Sequence, residues 1–238
     1  MSGAERALAL AIGQAYAAFA DVGAPRRLDA PPHRKPEELL QRLTGAPLAE
    51  LSEDQLGPYA GWAMTTVGDA RAYQHFLPRI LELATGPNSH MGFDPPVLAG
   101  KLVYGEWSGW RRDRREAVLA VFGAAFAAAL TEPYAANGPG EWLAGLARLT
   151  QVTPFLEQWR ASADPWAAIH LAVLRVSWMD SLTDEDGQPP FRDDVDIGIS
   201  AEVEAWLLSA ESRRQIERAL AAAPEEERWQ LERALPDQ

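Results

Sequence analysis

Residues 52–84 read SEDQLGPYAGWAMTTVGDARAYQHFLPRILELA, and the fold class is decided here. Ser52 with Gln55 has the spacing of a capping box, which predicts a helix running to about Val67. Asp69 is a second N-cap candidate and predicts another helix to about Ala84. Pro78 falls inside that second helix and is expected to kink or split it. Two helices joined by a short turn make an antiparallel hairpin.

The same habit extends outward. Ala, Leu, Glu, Arg and Gln dominate the chain, and these are strong helix formers. No stretch alternates apolar and polar residues for long, so no strand is expected. Residues 4–20 predict a first helix with Leu8, Ala11, Ile12, Ala15 and Phe19 on one face. A Pro-rich basic loop follows over 22–35, and Pro36 opens a short helix ending near Leu43. Asp94-Pro95-Pro96 opens a helix to about Trp107, and a long helix follows from about Arg111 to Leu130. Residues 133–140, PYAANGPG, read as a loop and a subdomain seam. Helices are then expected near 141–149, 154–162, 165–181, 201–209, 211–222 and 225–235. The expectation is a single all-α domain of about ten helices in antiparallel hairpins, over residues 1–238. The hairpins at 52–84 and 94–130 follow each other at roughly HEAT-repeat spacing, about 40 residues, so HEAT-like stacking is one arrangement and an irregular bundle another.

Composition narrows function by exclusion. The 238 residues include no cysteine, which removes disulfides, thiol nucleophiles, thiolate zinc and iron–sulfur chemistry. No Gly-rich phosphate loop follows a strand. The four histidines, His33, His75, His90 and His170, show no metal-ligand spacing, so no metal and no cofactor are expected. Ser108 lacks the frame of a nucleophile elbow. The most apolar run, Ala117 to Leu130, has 14 residues, short of the roughly 20 that span a bilayer. Near the N-terminus the apolar run is brief and Glu5 cancels Arg6, so no secretory signal and a cytoplasmic location are expected.

Charge is the most distinctive property. The formal net charge is −12, which argues against general nucleic-acid binding, since phosphate neutralisation needs clustered Lys and Arg. Residues 1–130 hold 13 basic and 14 acidic side chains, a net of −1, while residues 131–238 hold 9 and 20, a net of −11. The acidity peaks at Asp180, Asp184, Glu185, Asp186, Asp193, Asp194 and Asp196, opposed by Arg192 alone. The spacing fails as a calcium loop. It reads as a solvated loop, as a docking surface for a basic protein partner, because like charges focus the field and speed encounter, or, less specifically, as a source of paired catalytic carboxylates. In the other direction, Arg111, Arg112, Arg114 and Arg115 crowd one helix N-terminus, where positive charge opposes the dipole. Asp113 and Glu116 can offset them locally, or acids elsewhere can. Nine tryptophans read mostly as core residues.

The motif residues Tyr59, Ala60, Thr65, Thr66, Gly68, Asp69, His75, Phe76, Leu77, Pro78 and Arg79 carry a likeness. It continues at GKLVYGEWSGW, residues 100–110, and at AWLLSAESRRQIERAL, residues 205–220. Through them the chain resembles a widespread bacterial all-α family that is itself uncharacterised. The resemblance implies a helical fold and no particular chemistry. Relatives often carry Cys-Pro-His-Cys in the early loop, where this chain has Pro31-Pro32-His33-Arg34, so thiol chemistry is absent here.

Two functional expectations follow. One is a non-enzymatic, acidic binding module, in its most concrete form an immunity protein that masks a basic toxin domain. The rival is an enzyme with a site between hairpins, built around His75 and Asp69. A structural subunit of a complex is a third.

Overall fold

A computed structural model describes residues 1–86, 91–133, 135–183, 191 and 195–235. Among these the chain is 72% helix with no strand. Twelve α-helices are present among the described residues, against an expected total of about ten; each of them falls on one of the separately predicted spans.

The chain forms two compact units, Met1–Ala125 and Phe126–Gln238. The division falls within one helix, and the 133–140 segment belongs to the second unit. The charge asymmetry follows the same division: residues 126–130 carry no charge, so the first unit has a net of −1 and the second −11.

The first unit contains α1 (Gly3–Ala18), α2 (Pro36–Thr44), α3 (Glu53–Trp62), α4 (Ala70–Ala84), α5 (Pro95–Tyr104) and most of α6 (Arg112–Ala129). α1 starts with a capping box in which Ser2 and Glu5 exchange bonds. Its buried residues, Ala11 and Ala15 with Phe19 just beyond, lie on the face expected from the spacing. α3 has the predicted Ser52–Gln55 box but ends at Trp62, five residues early. The cause is the turn after it. Met64 takes a left-handed conformation (φ 62°), and Ala63 pairs with Val67 in an isolated bridge. Lys101, largely buried, fastens this turn by donating to the Ala63 carbonyl (2.8 Å) and to Thr65 Oγ1 (3.0 Å).

α4 packs on α1 and α3 and buries eight residues, including Tyr73, Phe76, Leu77 and Ile80. Burying a side chain of that size contributes about 1.5–3 kcal/mol, so α4 is a main source of the unit's stability. The helix is not split at Pro78, which sits buried within one continuous element. A 3-10 turn, Met91–Phe93, lies against α3, and there Gly92 approaches closely. A Cβ at Gly92 would stand 2.5 Å from the Gly61 nitrogen.

The second unit holds the end of α6 with α7 (Pro139–Leu149), α8 (Thr153–Ala161), α9 (Pro165–Thr183), α10 (Ile197–Leu207), α11 (Ala210–Ala219) and α12 (Arg228–Arg233). α9 packs against α7, α11 and α12. Its Arg175 donates to the carbonyls of Leu207 and Ala234, tying down the ends of α10 and the C-terminal helix. Trp159 is fully buried, stacks edge-on against Phe126, and donates its indole N–H to the Ala167 carbonyl at 2.7 Å. Four of the nine tryptophans (Trp142, Trp159, Trp178 and Trp206) are core residues, fewer than the majority expected; Trp62, Trp107, Trp110 and Trp166 are half-buried and Trp229 is exposed.

Candidate functional site

Asp69 and His75 share α4 but do separate structural work. Asp69 is the N-cap of α4, accepting from the Ala72 N–H at 2.8 Å. His75 is half-buried, packs edge-on against Phe76, and holds the Val22 carbonyl at 2.8 Å through Nδ1. That bond is to a carbonyl, so Nδ1 is the protonated nitrogen. No hydrogen bond joins Asp69 to His75.

Asp69 does line a cleft. One wall is the loop 23–27 with Asp29, and the other is Gly68 with the first turn of α4. The cleft measures about 470 Å³ and carries Arg26, Arg27 and Arg71 beside the two aspartates. The loop wall is pinned at both ends. Val22 is held by His75, and Asp29 accepts from the Gly68 N–H at 2.8 Å. Gly68 is required here. Its φ is +67°, and a Cβ would meet the Leu28 side chain at 3.2 Å.

The quoted motif therefore has a structural explanation. Thr65 and Thr66 both bond the Trp62 carbonyl to shape the turn. Gly68 supplies the left-handed residue, Asp69 the cap and His75 the loop tether. Arg79 donates to the Leu51 carbonyl (2.8 Å) and pairs with Glu82 (2.6 Å), which also accepts from Tyr16.

The acidic set is only partly described. Asp180 pairs with Arg233 at 2.9 Å, and Asp196 caps α10 by accepting from Gly198 and Ile199. Asp184, Glu185, Asp186, Asp193 and Asp194 lie outside the described residues. No group of three metal-ligating side chains occurs among the described residues. None of their helices is long and apolar enough to cross a membrane.

Compared with protein-family models, curated proteins and solved structures, the chain matches none.

The second unit offers an acidic groove that local sequence reading missed. It measures about 300 Å³ and is lined by α8, α10 and the start of α11. Leu156 and Trp206 form buried apolar surface there. Glu157, Glu202 and Glu211 surround them, opposed by Arg160. Thr153 donates to Glu202 at 2.6 Å, and Arg160 pairs with Glu211 at 3.2 Å. Glu157 is exposed and has no ion-pair partner among the described residues. The three glutamates are 45 to 54 positions apart or only nine apart in sequence, on separate helices, so no local pattern announces them.

The arginine cluster is occupied internally. Asp21 accepts from Arg111 (2.9 Å) and Arg114 (2.7 Å), Asp113 pairs with Arg111, and Glu116 with Arg112. Arg114 also reaches Gln74 and lies over the Phe19 ring. These contacts are local offsets plus one distant acid, so the dipole penalty at α6 is answered within the first unit.

Proposed function

We propose that the chain is a protein-binding module whose acidic second unit engages a basic protein, most concretely as an immunity protein that masks a basic toxin domain in the cytoplasm. One observation carries this reading: a net charge of −11 is concentrated in Phe126–Gln238, where an apolar-floored groove is rimmed by Glu157, Glu202 and Glu211. An apolar centre with a charged rim is the usual anatomy of a protein interface. The acidic field would speed encounter with a cationic partner and reject acidic ones. HEAT-like stacking of the hairpins belongs to the same reading, since such stacks present extended binding surfaces. The rival enzyme reading keeps one supporting fact, the placement of Asp69 on a cleft wall.

The test is affinity purification from the native host at low and high salt. A basic protein should be retained at low salt, released at high salt, and lost with Glu157→Lys combined with Glu202→Lys. Recovery of no basic protein, or of one indifferent to both salt and charge reversal, would sink the proposal.

A further inference from the structure

The cleft of the first unit has a chemistry that the partner reading does not use. Its lining combines three guanidinium groups with two carboxylates and contains no aromatic ring. The carboxylates do not cancel the cations evenly. Asp29 lies 3.6 Å from Arg27, an exposed and weak pair. Asp69 spends Oδ1 on the α4 cap. Arg26 and Arg71 have no hydrogen bond or ion pair among the described residues, and they come from the two different walls. Asp69 also closes the N-terminus of α4.

The Tyr59 ring lies behind Gly68. Tyr59 and Tyr73 are fully buried, and neither hydroxyl has a hydrogen-bond partner among the described residues. The Tyr59 ring comes within 3.7 Å of where a Gly68 Cβ would stand. The Tyr59 phenol pKa is pushed well up, by burial first and then by the neighbouring Tyr73 and Asp69. A buried aromatic ring thus backs the wall at Gly68, while neither tyrosine lines the cleft itself.

We propose that this cleft binds a small phosphate monoester carrying hydroxyl groups, of the polyol-phosphate class. Arg26 and Arg71 clamp the phosphate from opposite walls, because guanidinium forks match phosphate oxygens. The free oxygen of Asp69, with Asp29, accepts the hydroxyls. The absence of an aromatic ring in the lining disfavours a nucleobase, which would need a stacking surface. The volume suits a small ligand. Gly68 and the pinned loop hold the walls in place before binding, which limits the ordering cost. The proposal is independent of the acidic groove in the second unit.

Calorimetric titration of the full chain at low ionic strength tests it, using glycerol 3-phosphate, inorganic phosphate, glycerol and glycine as probes. Glycerol 3-phosphate should saturate at millimolar concentration or below and exceed inorganic phosphate, while glycerol and glycine should not bind. Arg26→Ala and Arg71→Ala should each weaken the ester at least about tenfold, the loss expected for a charge-assisted contact. Neither arginine has a partner among the described residues, so helix content by circular dichroism should be unchanged. Asp29→Asn should weaken the ester without weakening inorganic phosphate. Failure of the ester to saturate, equal binding by both arginine variants and the parent, or a preference for glycine would overturn the assignment.

Discussion

The imidazole Nδ1 of His75 lies 2.8 Å from the carbonyl oxygen of Val22, fifty-three residues earlier. This bond ties the end of the α1 connection to the middle of α4 and pins one end of the cleft loop. His75→Ala leaves that carbonyl without its donor and should cost about 1–2 kcal/mol. Urea unfolding measures it directly. An unchanged midpoint would show that the tether is dispensable.

Asp21 links α6 to the residues following α1. Its carboxyl is held below the usual carboxylate range, chiefly by the hydrogen bond from Arg114, then by the charges of Arg114 and Arg111, with desolvation opposing them. A depressed folded pKa stabilises above the unfolded value and is lost as pH falls through the folded value. Asp21→Asn should therefore lower the unfolding midpoint at neutral pH, and the gap from the parent should close in acid. Because Arg111 and Asp21 are exposed, salt should narrow the gap as well. Thermal melts across pH and salt would show both trends. A gap that persists at low pH would contradict the ion-pair account.

Two glycine-to-alanine changes should have opposite signs. At Gly92 a Cβ meets the Gly61 nitrogen at 2.5 Å and Ala60 Cβ at 2.8 Å, so backbone must move. A loss of about 3 kcal/mol is expected there, at the upper end for overpacking. Gly13 is exposed within α1 and has nothing within 4 Å of its Cβ position. Gly13→Ala should stabilise by about 0.5–1 kcal/mol through helix propensity. Denaturant titration of both variants checks the signs, and a stabilised Gly92→Ala would refute the close approach of the turn to α3.

His170 in the second unit bonds the Glu132 carbonyl at 2.9 Å. Burial lowers its pKa below 6.5, partly offset by that bond and by Glu141, Asp164 and Glu227. Below 6.5 the unfolded chain then binds more protons at this position than the folded one, so stability should fall as the pH drops from about 7 to 5. His170→Asn should flatten that slope, as read from unfolding midpoints over the same range. An equally steep slope in the variant would assign the acid sensitivity elsewhere.

Local signals were legible wherever a short stretch of chain decides the outcome. Ser52 with Gln55, Asp69 before α4 and Pro36 at the start of α2 all act as read, because capping satisfies backbone groups within three residues. The end of α3 was not legible. It depends on Lys101, 38 residues away from Ala63, holding the turn where Met64 turns left-handed. Pro78 predicts a kink or a split, and the split does not occur: α4 runs through it as one element, with Pro78 buried. The candidate residues divided in the same way. Asp69 was visible as a cap and Arg71 stands two residues after it, but Arg26 joins them from a remote loop that Val22 and Asp29 fasten against α4.

By itself, the sequence determined that this is a helical, cysteine-free chain with its negative charge gathered in the C-terminal half. Helix propensity, capping and net charge are local or additive quantities, and they survive without knowledge of which segments meet. The tertiary structure decided the rest: the division into two units within α6, the burial of Tyr59 behind Gly68, and the gathering of Glu157, Glu202 and Glu211 around Trp206. Each of these depends on contacts between residues far apart in the chain, and such contacts are selected by how whole helix faces pack.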